Sequence, residues 1–200
     1  MRTTVLAALV AVAVATPAGA LGSKAACLQV TDETGDARIG SPNVPASPAN
    51  FESLDIVSGD IATGPKNIVV AIRVKTLAAK PETTGGSTYN FYWSSGGAPR
   101  GVSYRTWLDA PPDAIYMSDG TPASGSAITA YADPGTSTIY FTVPRKLDPS
   151  LKKKGTKLSA FTVQTFVAVN RKGGITTSSA DRADSTRTYV DGSPTCLKGV

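Results

Sequence analysis

The chain has 200 residues and a formal net charge of +5, and 41% of its residues are hydrophobic. This is a globular composition, and the scattered mild basic excess does not predict a nucleic-acid-binding protein. Because histidine is absent, the composition excludes Ser-His-Asp and Cys-His catalytic sites and histidine-ligated zinc.

The first twenty residues predict a secretory signal peptide. Arg2 gives a basic start, residues 5–15 are almost wholly apolar, and small residues follow up to Ala20. The segment is too short to span a membrane, and no later apolar segment approaches that length. We therefore predict a secreted protein whose mature chain has no transmembrane segment and forms one domain over residues 21–200.

The two cysteines, Cys27 and Cys196, lie near the two ends of the predicted domain. In an oxidising compartment, such a pair predicts one disulfide that brings both ends of the domain together. The alternative is a lipid-anchored Cys27. Lys24 stands where lipoprotein signals usually carry leucine, and lipidation would leave Cys196 without a partner.

An acidic turn, Asp32-Glu33-Thr34-Gly35-Asp36, follows the first cysteine. Hard cations such as calcium need several oxygen ligands on a tight turn, and Gly35 allows the chain to fold back between two carboxylates. The alternative is that these side chains only cap their own backbone. Further carboxylates could come from Asp55, Asp60, Asp181 and Asp184.

Alternating and β-branched segments recur through the mature chain, and we expect eight or nine strands. The most regular segment, residues 67–77, is apolar on both faces at one end, which predicts a central position in a sheet. Residues 31–50, 81–87 and 171–185 are predicted loops. The other strand-like segments are residues 27–31, 51–62, 88–95, 101–110, 114–118, 126–132, 136–143, 158–170 and 186–190.

The predicted fold class is all-β, an antiparallel β-sandwich with a jelly-roll-like arrangement and no long helix. A single helical turn is predicted within residues 144–155. Asp148 would be its N-cap and Pro149 its first residue.

Aromatic side chains form the second candidate site. Flat faces of Trp93, Trp107 and Tyr92 could stack on sugar rings, with Arg105 donating hydrogen bonds to hydroxyl groups. The two tryptophans lie on successive predicted strands around a tight turn. The alternative is that Trp93 packs inside the sandwich and Trp107 is a half-buried residue of the sheet.

The order of several segments resembles a known family. These segments are Asp32-x-x-Gly35-Asp36, Leu54-Asp55-Ile56, the strand at 67–76, the aromatic strand that ends at Trp93, and residues 138–145 before a helical turn and a long strand. Together they resemble the secreted β-sandwich domains related to family-nine carbohydrate-binding modules and DOMON domains, as in exported actinobacterial proteins.

The resemblance implies a calcium ion near the N-terminal acidic turn, held by Asp32 and Asp36 and joined by Asp55. It also implies sugar binding between two tryptophans, for which this chain offers only Trp93 and Trp107. The haem of some DOMON relatives needs histidine, which this chain lacks.

The leading hypothesis is a secreted, non-catalytic domain that binds carbohydrate or another cell-surface ligand, with calcium as its candidate cofactor. One alternative is an exported structural or protein-interaction domain without a small-molecule ligand. Another is a glycoside hydrolase that uses paired carboxylates. The basic run at Lys152–Lys154, with Lys157 close behind, indicates either contact with an anionic polymer or membrane, or a solvated loop.

Overall fold

The computed structural model describes residues 28–41, 44–48, 52–80, 85–123, 128–171, 174–194 and 196–197. The predicted signal peptide and Cys27 lie outside these residues. Over the described ranges the protein is all-β, as predicted, and its strands pair antiparallel throughout. None of the short helices there has the length and apolar character that crossing a bilayer requires.

The strands are β1 (Val30–Thr31), β2 (Arg38–Ser41), β3 (Val44–Pro48), β4 (Ile56–Thr63), β5 (Asn67–Val74), β6 (Ser87–Ser95), β7 (Ala98–Thr106), β8 (Asp113–Ser118), β9 (Thr121–Pro122), β10 (Thr129–Asp133), β11 (Thr138–Pro144), β12 (Lys157–Arg171), β13 (Gly174–Ser185) and β14 (Tyr189–Val190).

Two sheets account for most of these strands. The first has the order β1-β4-β5-β11-β10, and the second has the order β13-β12-β6-β7-β8-β9, with β14 also paired to β12. The β2–β3 hairpin forms a small sheet by itself. The central position predicted for residues 67–77 is confirmed, because β5 lies between β4 and β11.

One hydrophobic core joins the inner faces of the two sheets, which gives a β-sandwich-like arrangement. Ile68, Val70 and Ile72 of β5 are fully buried in the same cluster as Phe91 of β6 and Phe161 of β12. Alternation places these side chains on the inner face because successive residues of a strand point to opposite sides.

The two sheets lie close together where Gly59 of β4 faces β6 and β12. A Cβ atom at Gly59 would lie 2.6 Å from both Phe91 Cε2 and Val163 Cγ2, which is shorter than any real contact. Glycine at this position therefore lets the aromatic side chain of the second sheet pack directly on the backbone of β4.

The ends of the predicted domain approach the same strand. Gln29 N donates a hydrogen bond to Gly59 O of β4, and Leu197 packs beside Ala62 of β4 and Ala71 of β5. Leu28 and Leu197, the neighbours of the two cysteines, are both buried. The predicted disulfide stays a prediction because Cys27 lies outside the described residues.

Several strand predictions need correction. Within the described residues the two main sheets hold twelve strands, more than the eight or nine expected. Residues 31–50 contain the β2–β3 hairpin, and residues 171–185 contain β13. The prediction missed β13 because its serine, threonine and charged residues lack the apolar alternation of a core strand. Its backbone nevertheless pairs with β12 over most of its length.

The predicted helical turn is confirmed in the form of two short 3₁₀ turns, Arg145–Leu147 and Pro149–Lys152. The Asp148 side chain accepts a hydrogen bond from Ser150 N at 3.2 Å, and Pro149 takes the first helical position. This is the arrangement that an Asp-Pro pair favours at a helix start.

Candidate functional site

Three carboxylates from distant parts of the sequence meet at one edge of the sandwich. Asp32 and Asp36 lie in the loop between β1 and β2, and Asp181 lies on β13. One oxygen from each lies within 4.8 Å of the others. The two acidic residues of the N-terminal turn are therefore brought together as predicted, with Asp181 as the third member.

Backbone hydrogen bonds hold this acidic cluster in place. Gly35, in the left-handed region with φ of 91°, donates its N–H to Asp55 Oδ2 at 2.7 Å. Ile56 N, at the start of β4, donates to Asp181 Oδ2 at 2.7 Å. The N-terminal loop, the start of β4 and β13 are thereby tied to one another at the site.

Two carboxylate oxygens at the site are buried and accept no hydrogen bond from the described part of the chain. They are Asp32 Oδ2 and Asp55 Oδ1. Asp55 is only 3% exposed, and its other oxygen already binds the Gly35 amide beside Asp36. A buried carboxylate oxygen without a partner is costly, so these oxygens are suited to a ligand that accepts their lone pairs.

Electrostatics at the site also favour a cation. Burial, followed by the charges of Asp181 and Asp36, raises the pKa of Asp32 from 3.8 to about 6. Burial raises the pKa of Asp181 as well. The adjacent Arg182 does not offset this repulsion, since its guanidinium binds Asp184 at 2.8 Å.

The structure places Asp60 and Asp184 away from the acidic cluster. Asp60 follows Asp55 by five residues, a separation of roughly 16 Å between the two residues in extended backbone. Asp184 is exposed and accepts hydrogen bonds from Thr162 and Arg182. The expectation that these two residues contribute ligands to the cluster is therefore wrong.

The four residues predicted to bind a ligand do not form one group. Trp93 is 2% exposed, and its ring packs with Phe91 and Tyr116 in the core, as the alternative interpretation predicted. Tyr92 lies opposite Gly101 of β7, and Arg105 lies four residues further along that strand. The distance along the strand is about 13 Å.

Trp107 and Arg105 do lie together, at the end of β7. The Arg105 guanidinium carbon is 5.5 Å from the centre of the Trp107 ring, within the range of a cation–π contact. Arg105 also donates a hydrogen bond to Asp113 Oδ1 at 2.9 Å. This ion pair fixes the guanidinium against one face of the ring.

Trp107 lines a cleft at the end of the sandwich, with a volume of about 460 Å³. The cleft is mainly apolar, and within the described ranges no aspartate or glutamate lines it. Its size and lining are typical of a small-molecule site. The main lining side chains are Leu77, Tyr89, Tyr104, Trp107, Leu108 and Ala132.

The sequence-based prediction missed Leu77 and Leu108 as members of this cleft. Leu108 is 50% exposed although it is a large apolar residue. The available signal was position in the strand: Leu77 is the last residue of the predicted strand 67–77, and Leu108 lies close to the end of the predicted strand 101–110. Near the end of a strand, an apolar side chain need not point into the core between the sheets.

Comparison of this chain with protein-family models, with curated proteins and with solved structures finds no match. The resemblance to family-nine modules and DOMON domains therefore stays a prediction, and the function is argued from the geometry of the two sites.

Proposed function

We propose that this protein is a secreted, non-catalytic β-sandwich domain that holds calcium at its acidic cluster and binds a carbohydrate or another cell-surface component in the Trp107 cleft. The observation that carries the proposal is the convergence of Asp32, Asp36 and Asp181 beside the buried, unpartnered oxygen of Asp55. The predicted jelly-roll-like arrangement and the Cys27–Cys196 disulfide are part of this proposal.

Calcium fits this acidic cluster better than magnesium does. Calcium binds oxygen at about 2.3–2.6 Å, so ligands on opposite sides of the ion are about 5 Å apart. The three carboxylate oxygens lie within 4.8 Å of one another, so a single calcium ion could contact all three. Magnesium, with bonds of about 2.0–2.1 Å, would require a tighter arrangement and prefers to keep several waters.

The cleft supports binding rather than hydrolysis. Glycoside hydrolysis needs two carboxyl groups that flank the scissile bond. The described lining of the cleft carries none, whereas Trp107, Tyr89 and Tyr104 offer aromatic surface. Asp32, Asp36 and Asp181, the carboxylates of the acidic cluster, are not among the described residues that line this cleft.

The first prediction concerns calcium. At about 100 times its dissociation constant, calcium should stabilise the folded state by about 2.7 kcal/mol. For a domain of this size, we expect the melting temperature to rise by roughly 5–10 °C relative to the chelator-treated protein. Asp36→Asn should abolish the rise, because Asp36 is exposed and contributes one of the three carboxylates of the acidic cluster. Differential scanning calorimetry with calcium, magnesium or chelator makes the measurement.

Asp109→Asn is the matched control, because Asp109 is an exposed aspartate in the loop after β7. It should keep the full calcium response. An unchanged melting temperature in wild-type protein, or an equal loss of response in both variants, would count against calcium at this site.

The second prediction concerns the cleft. Trp107→Ala should weaken binding of a glycan identified on an array by at least about 30-fold, the typical effect of removing a central tryptophan. Tyr131→Ala is the control, because Tyr131 is 64% exposed on β10 and does not line the cleft. An array on which wild-type protein binds no glycan would reject the carbohydrate ligand. Equal losses in both variants would reject the cleft as its site.

A further inference from the structure

We propose that the lysine-rich end of the domain is a docking surface for a polyanion of the cell surface, meaning a polymer with closely spaced phosphate, sulfate or carboxylate groups. We call this surface the lysine face. It consists of Lys66, Lys146, Lys152, Lys153 and Lys154. The inference goes beyond the calcium site and the Trp107 cleft and depends on neither.

The fold brings these lysines together from separate segments. Lys66 lies in the turn between β4 and β5, and Lys146 and Lys152 lie in the two 3₁₀ turns before β12. These three side chains line one depression of about 400 Å³. All five lysines of the face are exposed. The sequence alone showed the run at 152–154 but not its meeting with Lys66 and Lys146.

Arg145 fixes this arrangement from below. Its backbone N–H donates to Lys66 O at 2.8 Å. Its guanidinium donates to Gly64 O at 3.1 Å and to Leu151 O at 2.6 Å, and both terminal nitrogens bind Asp191. One side chain therefore ties the β4–β5 turn to the second 3₁₀ turn, so the lysines project from a fixed platform.

The positive charge of the lysine face is not offset locally. Asp148 is the only acidic residue among the described lining of the depression, and it is 1% exposed. Asp148 lies against Arg100, and Asp191 is held by Arg145. Within the described ranges, no ion pair includes any of the five lysines. Such a patch raises the local concentration of anions and speeds their association.

A polymer fits this face better than a bilayer does. Membrane association by lysines is strengthened when neighbouring apolar side chains enter the lipid. The exposed large apolar residues of the described chain are Leu108, Tyr131 and Val190. Leu108 belongs to the Trp107 cleft and Tyr131 to β10, which leaves Val190, paired with Lys157, as the single one near the face.

The test uses the secreted protein and defined polyanions. Sodium polyphosphate, a sulfated polysaccharide and polygalacturonate are the three probes, dextran is the neutral control, and titration calorimetry measures binding at 50 and 200 mM salt. Engagement of three lysines predicts a loss of affinity of roughly 20-fold between these salt concentrations. The polyphosphate and uronate arms show whether phosphate or carboxylate is preferred.

A double variant and its charge-matched control locate the site. Lys146→Gln with Lys152→Gln should lower the affinity at least tenfold and flatten the salt dependence. Lys75→Gln with Arg73→Gln removes the same charge elsewhere and should change the affinity by less than twofold. Lys75 and Lys66 flank opposite ends of β5, about 30 Å apart along extended backbone.

Three outcomes would overturn the inference. They are no binding of wild-type protein to any polyanion, equal losses in the two double variants, and binding to phosphatidylserine vesicles without binding to the polymers. The lysine variants should keep the calcium-dependent rise in melting temperature and the binding in the Trp107 cleft. Failure of this inference is therefore distinguishable from failure of the proposed function.

Discussion

Replacing Arg145 with methionine is expected to lower the free energy of unfolding by about 3–5 kcal/mol at pH 7. The substitution keeps a long side chain but leaves the buried Asp191 carboxylate without its cation, and Asp191 is 8% exposed. It also leaves Gly64 O and Leu151 O without the donors that Arg145 provides. Chemical denaturation followed by fluorescence measures the loss.

The pH dependence of this loss separates the ion pair from simple packing. Arg145 is the main cause of the lowered pKa of Asp191 in the folded protein. A lowered folded-state pKa gives stability that is present above the unfolded value, about 3.9, and is lost as the pH falls. The difference between wild-type and variant should therefore shrink on acidification from pH 7 toward pH 3.

Arg182→Met is the control, because the Arg182–Asp184 pair is more than half exposed on both sides. Exposed pairs contribute at most about 1 kcal/mol. A comparable loss in both arginine variants, or a loss at Arg145 that stays constant with pH, would contradict a special role for the buried pair.

The acidic cluster shows which part of a site a sequence can reveal. Asp32 and Asp36 are predictable because they flank Gly35 in one short turn, so local geometry brings them close. Asp181 could be expected nearby only through the predicted meeting of the chain ends. The exclusion of Asp184 depends on the alternation of β13 and on its pairing with Arg182, and β13 itself was predicted as a loop.

The aromatic residues show the same division between local and long-range information. Alternation along residues 88–95 predicts that Tyr89, Phe91 and Trp93 share a face, and all three are buried in the core. The cleft beside Trp107 depends on where the second sheet ends relative to Ala132 and Leu77, which belong to the first sheet and the loop after it. No local pattern in the sequence predicts how far the end of one sheet lies from the end of the other.

The lysine face was predictable only in part for a similar reason. The run at 152–154 is obvious in the sequence, and Asp148-Pro149 correctly predicts a helical turn before it. The position of Lys66 beside Arg145 follows from the pairing of β5 with β11, in which Asn67 lies opposite Pro144. Strand register therefore adds a lysine from a distant segment to the surface formed by the run of lysines.

Replacing Asp60 with asparagine is expected to stabilise the protein progressively as the pH rises from 4 to 7, by up to about 4 kcal/mol. Asp60 is 1% exposed. Its Oδ1 accepts a hydrogen bond from Ile61 N, and its Oδ2 has no hydrogen-bond partner among the described residues. Burial raises the pKa of this carboxyl from 3.8 to about 7. Between these values the unfolded chain has lost the proton that the folded chain retains, so wild-type stability falls as the pH increases.

The measurement is the difference in unfolding free energy between Asp60→Asn and wild-type protein at pH 4, 5.5, 7 and 8. Asparagine removes the titration but keeps the shape of the side chain, so any constant cost of its amide appears equally at every pH. The difference should grow up to pH 7 and then level off. Asp109→Asn, which removes an exposed carboxylate, should follow the wild-type profile. A difference between the Asp60 variant and wild-type that does not change with pH would mean that Asp60 is ionised in the folded protein. In that case its charge must be balanced by a group beyond the contacts described for β4.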